Sequence, residues 1–274
     1  MKVLIITYYW PPAGGSGVQR WLKFVKYLQE FGIEPVVYTV DNVIYPKEDK
    51  TLLHEVSDNI TVLKQPIWEP TDLLFWKKDK PQKSGISNVS KSGLLSFVRG
   101  NFFIPDPKLF WVKPSVKYLQ KYLDLNKIDT IISTGPPHSM HLIANKLRQK
   151  NNIKWIADFR DPWSDLYYNK DFNQLSFVKN KNKKLEEAVL KNADCVITVS
   201  NSLKEEFSKT TNRVEVITNG FDDEVLTENN IIKDTKFTIS YIGLLPKQSN
   251  PSVLFKVLKE LCSKNEDFKN DLKL

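Results

Sequence analysis

The sequence predicts an α/β fold, a Rossmann-like doubly wound parallel sheet, on three observations. Lys2-Val3-Leu4-Ile5-Ile6-Thr7-Tyr8 is short, branched and almost continuously apolar, as a strand buried on both faces must be. A break through Tyr9-Trp10-Pro11-Pro12-Ala13-Gly14-Gly15-Ser16-Gly17 follows, and then Val18, Trp21, Leu22, Val25, Leu28 and Phe31 recur at helical spacing. Short apolar runs and helical periods keep alternating as far as Ile217.

Further strands are expected at 34–40, 59–63, 129–134, 154–158, 195–199 and 214–217. Helices are expected at 111–125 and 177–192, with others opening near Ser139 and Asn201. Ser139 is placed as a helix cap. Residues 77–92, rich in lysine, serine, asparagine and glycine, read as a loop insertion, and a short helix is expected around Leu94–Val98. The first domain is set at 1–222, and a polar linker at 223–236 leads to a strand at 237–242. A helix follows near 251–262, with Pro251 in its first turn. One strand and one helix do not make an α/β domain, so 237–274 reads as the start of an incomplete second one.

With 41% hydrophobic and 26% charged residues the chain is expected to fold rather than remain disordered. A formal charge of +8 favours anionic partners without choosing among them. Helix-turn-helix, zinc-finger and RNA-binding motifs are all lacking, so no specific nucleic acid is expected. The two cysteines, Cys195 and Cys262, lack metal-site spacing and read as buried, reduced thiols of an intracellular protein. The first apolar run is too short for a signal peptide or a membrane span. Lysines 77–91 and Arg99, interleaved with Trp68, Trp76, Phe97, Phe102 and Phe103, are compatible with peripheral contact with an anionic membrane. The same mixture would also serve as a solvated excursion whose aromatic residues cover the core.

Chemistry should collect at the carboxyl ends of the strands. Gly14 and Gly15 lie between a strand and a helix N-terminus, where free backbone N–H groups favour phosphate, and they read as substrate or phosphate contacts or as a tight turn. Arg20 would meet an anion or face solvent. Asp158, Arg160 and Asp161 form the strongest polar cluster. Arg160 suits bidentate phosphate binding, and Asp161 suits acceptor hydroxyls, against a structural ion pair as the alternative. His138 follows another strand and would contact an acceptor or pack in the loop. Three scattered histidines do not make a metal site, and Ser200 lacks a nucleophilic triad. A nicotinamide fingerprint is a rival, since Gly15-Ser16-Gly17 supplies two glycines of G-x-G-x-x-G and Asp41 follows the second strand. Arg20, however, stands where the third glycine belongs.

Taken in order, Tyr8-Tyr9-Trp10-Pro11-Pro12-Ala13-Gly14-Gly15, Ser133-Thr134-Gly135-Pro136-Pro137-His138 and Asp158-Phe159-Arg160-Asp161-Pro162-Trp163 resemble family 4-like glycosyltransferases. Thr198-Val199-Ser200, Thr218-Asn219-Gly220-Phe221-Asp222 and Tyr241-Ile242-Gly243 continue the match. The resemblance implies the N-terminal half of a GT-B enzyme, with two Rossmann-like domains and a retaining, metal-free transfer. A nucleotide-sugar would be the cosubstrate and no cofactor is needed. The acceptor would be a glycan or lipid-linked oligosaccharide. The resemblance also implies a cytoplasmic enzyme, at the inner membrane face if its acceptor is lipid-linked. Lys247 falls in the first donor-domain loop as a phosphate contact. Asp161, Arg160 and His138 become the catalytic candidates, while many relatives carry histidine where this chain has Phe159-Arg160-Asp161. With most donor-binding residues expected beyond Leu274, the chain alone is expected to lack efficient activity. A non-catalytic glycan or lipid-headgroup binding remnant is the alternative.

Overall fold

The computed structural model describes residues 1–41, 43, 45, 47–68, 94–164, 174–221, 233–243, 245 and 249–274. Two compact units divide at Gly220 and Phe221. The first is built on seven parallel strands. These are β1 (Lys2–Ile6), β2 (Glu34–Asp41), β3 (Thr61–Pro66), β4 (Thr130–Gly135), β5 (Lys154–Phe159), β6 (Cys195–Thr198) and β7 (Val214–Val216). Their order is β3-β2-β1-β4-β5-β6-β7. The order reverses beside β1, where Leu4 pairs with Val36 on one side and Ile131 on the other.

The helices are α1 (Ser16–Leu28), α2 (Leu94–Phe102), α3 (Leu109–Leu125), α4 (Ser139–Lys150), α5 (Ser176–Asn192) and α6 (Asn201–Phe207). Right-handed crossovers put α1 on one face of the sheet and α3 to α6 on the other. Covered on both sides, Leu4, Ile5 and Ile6 have no exposed surface. This explains why β1 reads as a continuous apolar run rather than an alternating one.

Among the described residues the four largest fully buried side chains are tryptophans, and three of them find acceptors. Trp155 Nε1 donates to Ser133 Oγ at 2.9 Å, Trp163 Nε1 to Asn182 Oδ1 at 3.1 Å, and Trp21 Nε1 to Asp158 Oδ2 at 2.7 Å. The fourth, Trp111, stacks on Tyr38 at 5.0 Å with its Nε1 unpaired, which costs about 1–3 kcal/mol.

The structure revises several sequence expectations. β3 begins and ends later than 59–63, in register with Val36 to Asp41 of β2. A 3-10 turn at Lys50–Glu55 carries no readable apolar period. Ser139 is the first helical residue of α4 rather than its cap, and its N–H and Oγ both donate to the carboxylate of Asp106. Cys195 and Cys262 are half-buried, not buried. The insertion at 77–92 lies outside the described residues. No described helix is long and apolar enough to cross a membrane.

The second unit pairs two short strands in parallel, β8 (Phe237–Thr238) and β9 (Leu272–Lys273), around α7 (Ser252–Lys264) and α8 (Glu266–Asp271). The strand expected at 237–242 thus shortens to two residues, and Pro251 is the N-cap of α7. Within this unit α7 buries only Leu258, leaving Val253 72% and Val257 46% exposed. An apolar helix face without cover is the main feature of this unit.

Candidate functional site

The loop after β1 is held rigidly before it reaches its glycines. Thr7 Oγ1 donates to the Tyr9 carbonyl, and Thr39 and Tyr45 hydroxyls donate to that of Tyr8. Gly14 packs against the segment that follows β2: its N–H donates to Lys47 O, and a Cβ there would meet Asp49 Cβ at 3.2 Å. Gly15 is the N-cap of α1 at φ 113°, a conformation that favours glycine. No side chain caps α1 and no acid lies in its first turn. The positive end of the α1 dipole therefore meets no capping side chain and no acid of its own first turn.

Behind that turn lies a buried ion pair. Asp158, with no exposed surface, accepts from Arg20 Nη2 at 3.0 Å, Trp21 Nε1 at 2.7 Å and Thr134 Oγ1 at 2.8 Å. Arg20 Nη1 also reaches the Thr218 carbonyl and Asn219 Oδ1, both at 3.1 Å. Arg20 and Asp158 thus join α1, β4, β5 and the loop after β7, while Arg20 Nε has no hydrogen-bond partner. Both groups lie in the interior, Arg20 with 5% and Asp158 with none of its surface exposed.

Arg160, partly buried, stands on the rim at the carboxyl ends of the strands, and His138 lies buried beneath it with 4% of its surface exposed. Arg160 Nη2 donates to the Pro136 carbonyl, while Nε has no partner. A Cβ on Gly17 would overlap Arg160 Nη1, so the guanidinium lies directly against the first turn of α1. Burial pulls the Arg160 pKa down, opposed by Asp158 and Asp161. Asp161 is exposed beside it. The His138 ring stacks on Trp163 at 4.9 Å and 7°. Its neighbour His141 stacks on Phe159 at 4.4 Å and bonds Ser133 Oγ through Nδ1. A Cβ on Gly135 would come within 2.7 Å of His141 Nε2 and 3.0 Å of His138 Nδ1, so glycine admits both rings. Glu186 of α5 fixes the far side of the loop by accepting from Trp163 N and Ser164 N.

Burial, reinforced by the nearby Arg160 charge, pushes the His138 pKa down to about 3. The unfolded chain, titrating near 6.5, then binds the extra proton as pH falls between those values, so folding loses stability on acidification. From pH 7 to 5 the contribution of His138 is about 2 kcal/mol. His138→Gln is expected to flatten the pH dependence of urea denaturation by that amount. An unchanged slope would mean that the ring is already solvated.

The structure therefore brings Arg160 against Gly17, Arg20 against Asp158 and His138 against Trp163, and it sets Gly14 against Lys47 and Asp49. Ser200 caps α6 by accepting from Leu203 N. Lys247 lies outside the described residues. Gly17, Thr134, Gly135, Trp21 and Glu186 complete the site. Gly17, Thr134 and Gly135 stand in loop motifs visible in the sequence, whereas Trp21 reads only as one of a helical row and Glu186 carries no local signal. Among the described residues, no three His, Cys, Asp or Glu side chains form a group that could hold a metal.

Comparison with known proteins follows this geometry. A family model described as Glycosyltransferase Family 4 matches residues 15–225. No curated protein sequence matches the chain. Among solved structures, the chain is similar to TarM with a TM-score of 0.54 and 12% identity, covering 99% of this chain and 70% of that one. It is also similar to Anabaena Alr3699/HepE, solved in complex with UDP-glucose, with a TM-score of 0.47 and 14% identity, covering 97% and 50% of the two chains. For the lipopolysaccharide outer core galactosyltransferase WaaB the TM-score is 0.41 at 17% identity, covering 80% and 45%. The chain thus spans half the length of HepE. With the family match across most of its length and a parallel sheet of the Rossmann-like GT-B type, this chain belongs to Glycosyltransferase Family 4.

Proposed function

We propose that the chain is the acceptor-side half of an enzyme that moves a hexosyl group from a nucleotide-sugar to a hydroxyl of a glycan or lipid-linked sugar, with retained configuration. One observation carries this reading: the Arg160 guanidinium rests on Gly17 at the uncapped start of α1, with Asp161 exposed beside it. As the bond from the sugar carbon to the donor phosphate breaks, negative charge grows on the phosphate oxygens. Arg160 and the α1 amides would stabilise it. Asp161 would bind the acceptor hydroxyl whose oxygen forms the new bond and whose proton is lost. His138, a buried neutral ring stacked on Trp163, would support the acceptor side of the loop from beneath. Gly14 and Gly15 shape the loop, and Arg20 and Asp158 hold it in place. On sequence pattern alone, Lys247 is proposed as a further phosphate contact.

Retention and the hexosyl class follow the family resemblance. We further place the enzyme in peripheral contact with the cytoplasmic membrane face, where a lipid-linked acceptor would be presented. Residues 1–274 alone are proposed to transfer sugar poorly, in keeping with the half-length match to HepE and the uncovered face of α7. The test is product detection by mass spectrometry from a panel of nucleotide-sugars and acceptors. Transfer is expected from the protein of natural length, with much slower turnover by residues 1–274. Acceptor binding without any product would favour a binding remnant instead.

A further inference from the structure

The geometry points to a membrane-docking face on α3 and α4, formed by a lysine-lined groove that continues into an exposed aromatic cluster and is suited to an anionic lipid bilayer. It rests on the peripheral-contact part of the proposed function, and it names a surface of its own. Between the two helices runs a groove of about 490 Å³ lined by Lys113, Lys117, Lys121, Lys146 and Lys150, with Val116 and two glutamines. No carboxylate lines it. All five lysines are exposed, and among the described residues none pairs with a carboxylate. By contrast Arg148, on the same α4, is committed to Asp194.

The spacing organises these charges. Lys113, Lys117 and Lys121 stand four residues apart, forming a row about 12 Å long on one side of α3. Trp111, Ser115 and Leu119 occupy its buried side. Asp124 is the only acid within α3, and it accepts from Gln120 at 2.9 Å. Lys146 and Lys150, again four apart, run along the facing edge on α4.

The row continues at its N-terminal end into Phe110, three residues before Lys113 and therefore on the same helix face. Phe110 is 42% exposed and meets Trp68 edge-on at 5.4 Å and Phe103 at 6.0 Å. Phe102 in α2 is 69% exposed. A soluble polyanion would engage the lysines and leave these rings in water. A bilayer engages both, with phosphates along the lysine row and aromatic rings at headgroup depth. Each lysine near an anionic surface adds an increment that salt weakens.

The test uses the full chain and phosphatidylcholine vesicles, with and without phosphatidylglycerol, in a co-sedimentation assay. Selective, salt-sensitive binding to the phosphatidylglycerol vesicles is expected. K113Q/K117Q/K121Q, which alters exposed side chains only, is expected to weaken it at least about tenfold while leaving the circular dichroism melt unchanged. Phe110→Ser is expected to weaken the part of the binding that survives high salt. Equal binding to both vesicle types, or full binding by the triple variant, would overturn the proposal. So would capture of inorganic polyphosphate without any vesicle binding, which would assign the face to a soluble polyanion. The assay contains no sugar donor, so inactivity as a transferase does not affect it. Failure to bind vesicles would in turn leave the sugar-transfer reading intact.

Discussion

Replacing Asp158 with alanine is expected to remove about 3–5 kcal/mol of folding stability, the cost of breaking a buried ion pair from one side. Arg20 would keep its charge with 5% of its surface exposed and lose its carboxylate partner. Trp21 Nε1 and Thr134 Oγ1 would lose their acceptor at the same time. Urea denaturation followed by tryptophan fluorescence reads this directly. The double variant Arg20→Ala with Asp158→Ala is expected to cost less than the two single changes added together, because the stranded charge is then removed as well. A loss below about 1 kcal/mol for Asp158→Ala would show that water reaches the carboxylate, and that it does not hold α1 to the sheet.

Gly17→Ala is expected to separate stability from function. The new Cβ would overlap Arg160 Nη1 and approach Cζ to 3.0 Å, so the guanidinium must leave its seat and its bond to Pro136 O. A flexible side-chain end can move at little cost, and alanine suits a helix better than glycine. Stability should therefore stay within about 1 kcal/mol of the parent, on either side. If Arg160 serves the reacting centre as proposed, sugar transfer by the protein of natural length should nevertheless fall about 100-fold when it moves by an ångström or more. A melting curve paired with kcat distinguishes the two. Equal loss in both would make Gly17 a folding residue only.

The sheet was legible because its parallel strands are covered on both faces, which writes them as unbroken apolar runs such as Val36-Val37-Tyr38 and Ile131-Ile132. The turn at Lys50–Glu55 has no such signature, and the short pairing of Leu272–Lys273 with β8 depends on contacts rather than on local pattern. At the site, the loops could be located from their glycines and prolines, while the direction of each side chain could not. Asp158 and Arg160 are two residues apart, yet one is sealed under α1 and the other reaches the rim. That division depends on Arg20, which meets Asp158 across 138 residues of sequence. Neither could the pairing of Gly17 with Arg160 be read locally, because it exists only once α1 packs over the ends of β4 and β5.

The most direct measurement is the turnover of Arg160→Gln in the protein of natural length, with a nucleotide-sugar and an acceptor that the parent enzyme uses. If the guanidinium stabilises charge as the donor bond breaks, kcat is expected to fall at least about 100-fold while the protein still unfolds cooperatively. A folded Arg160→Gln enzyme turning over at the parental rate would contradict the assignment of reacting-site chemistry to this rim.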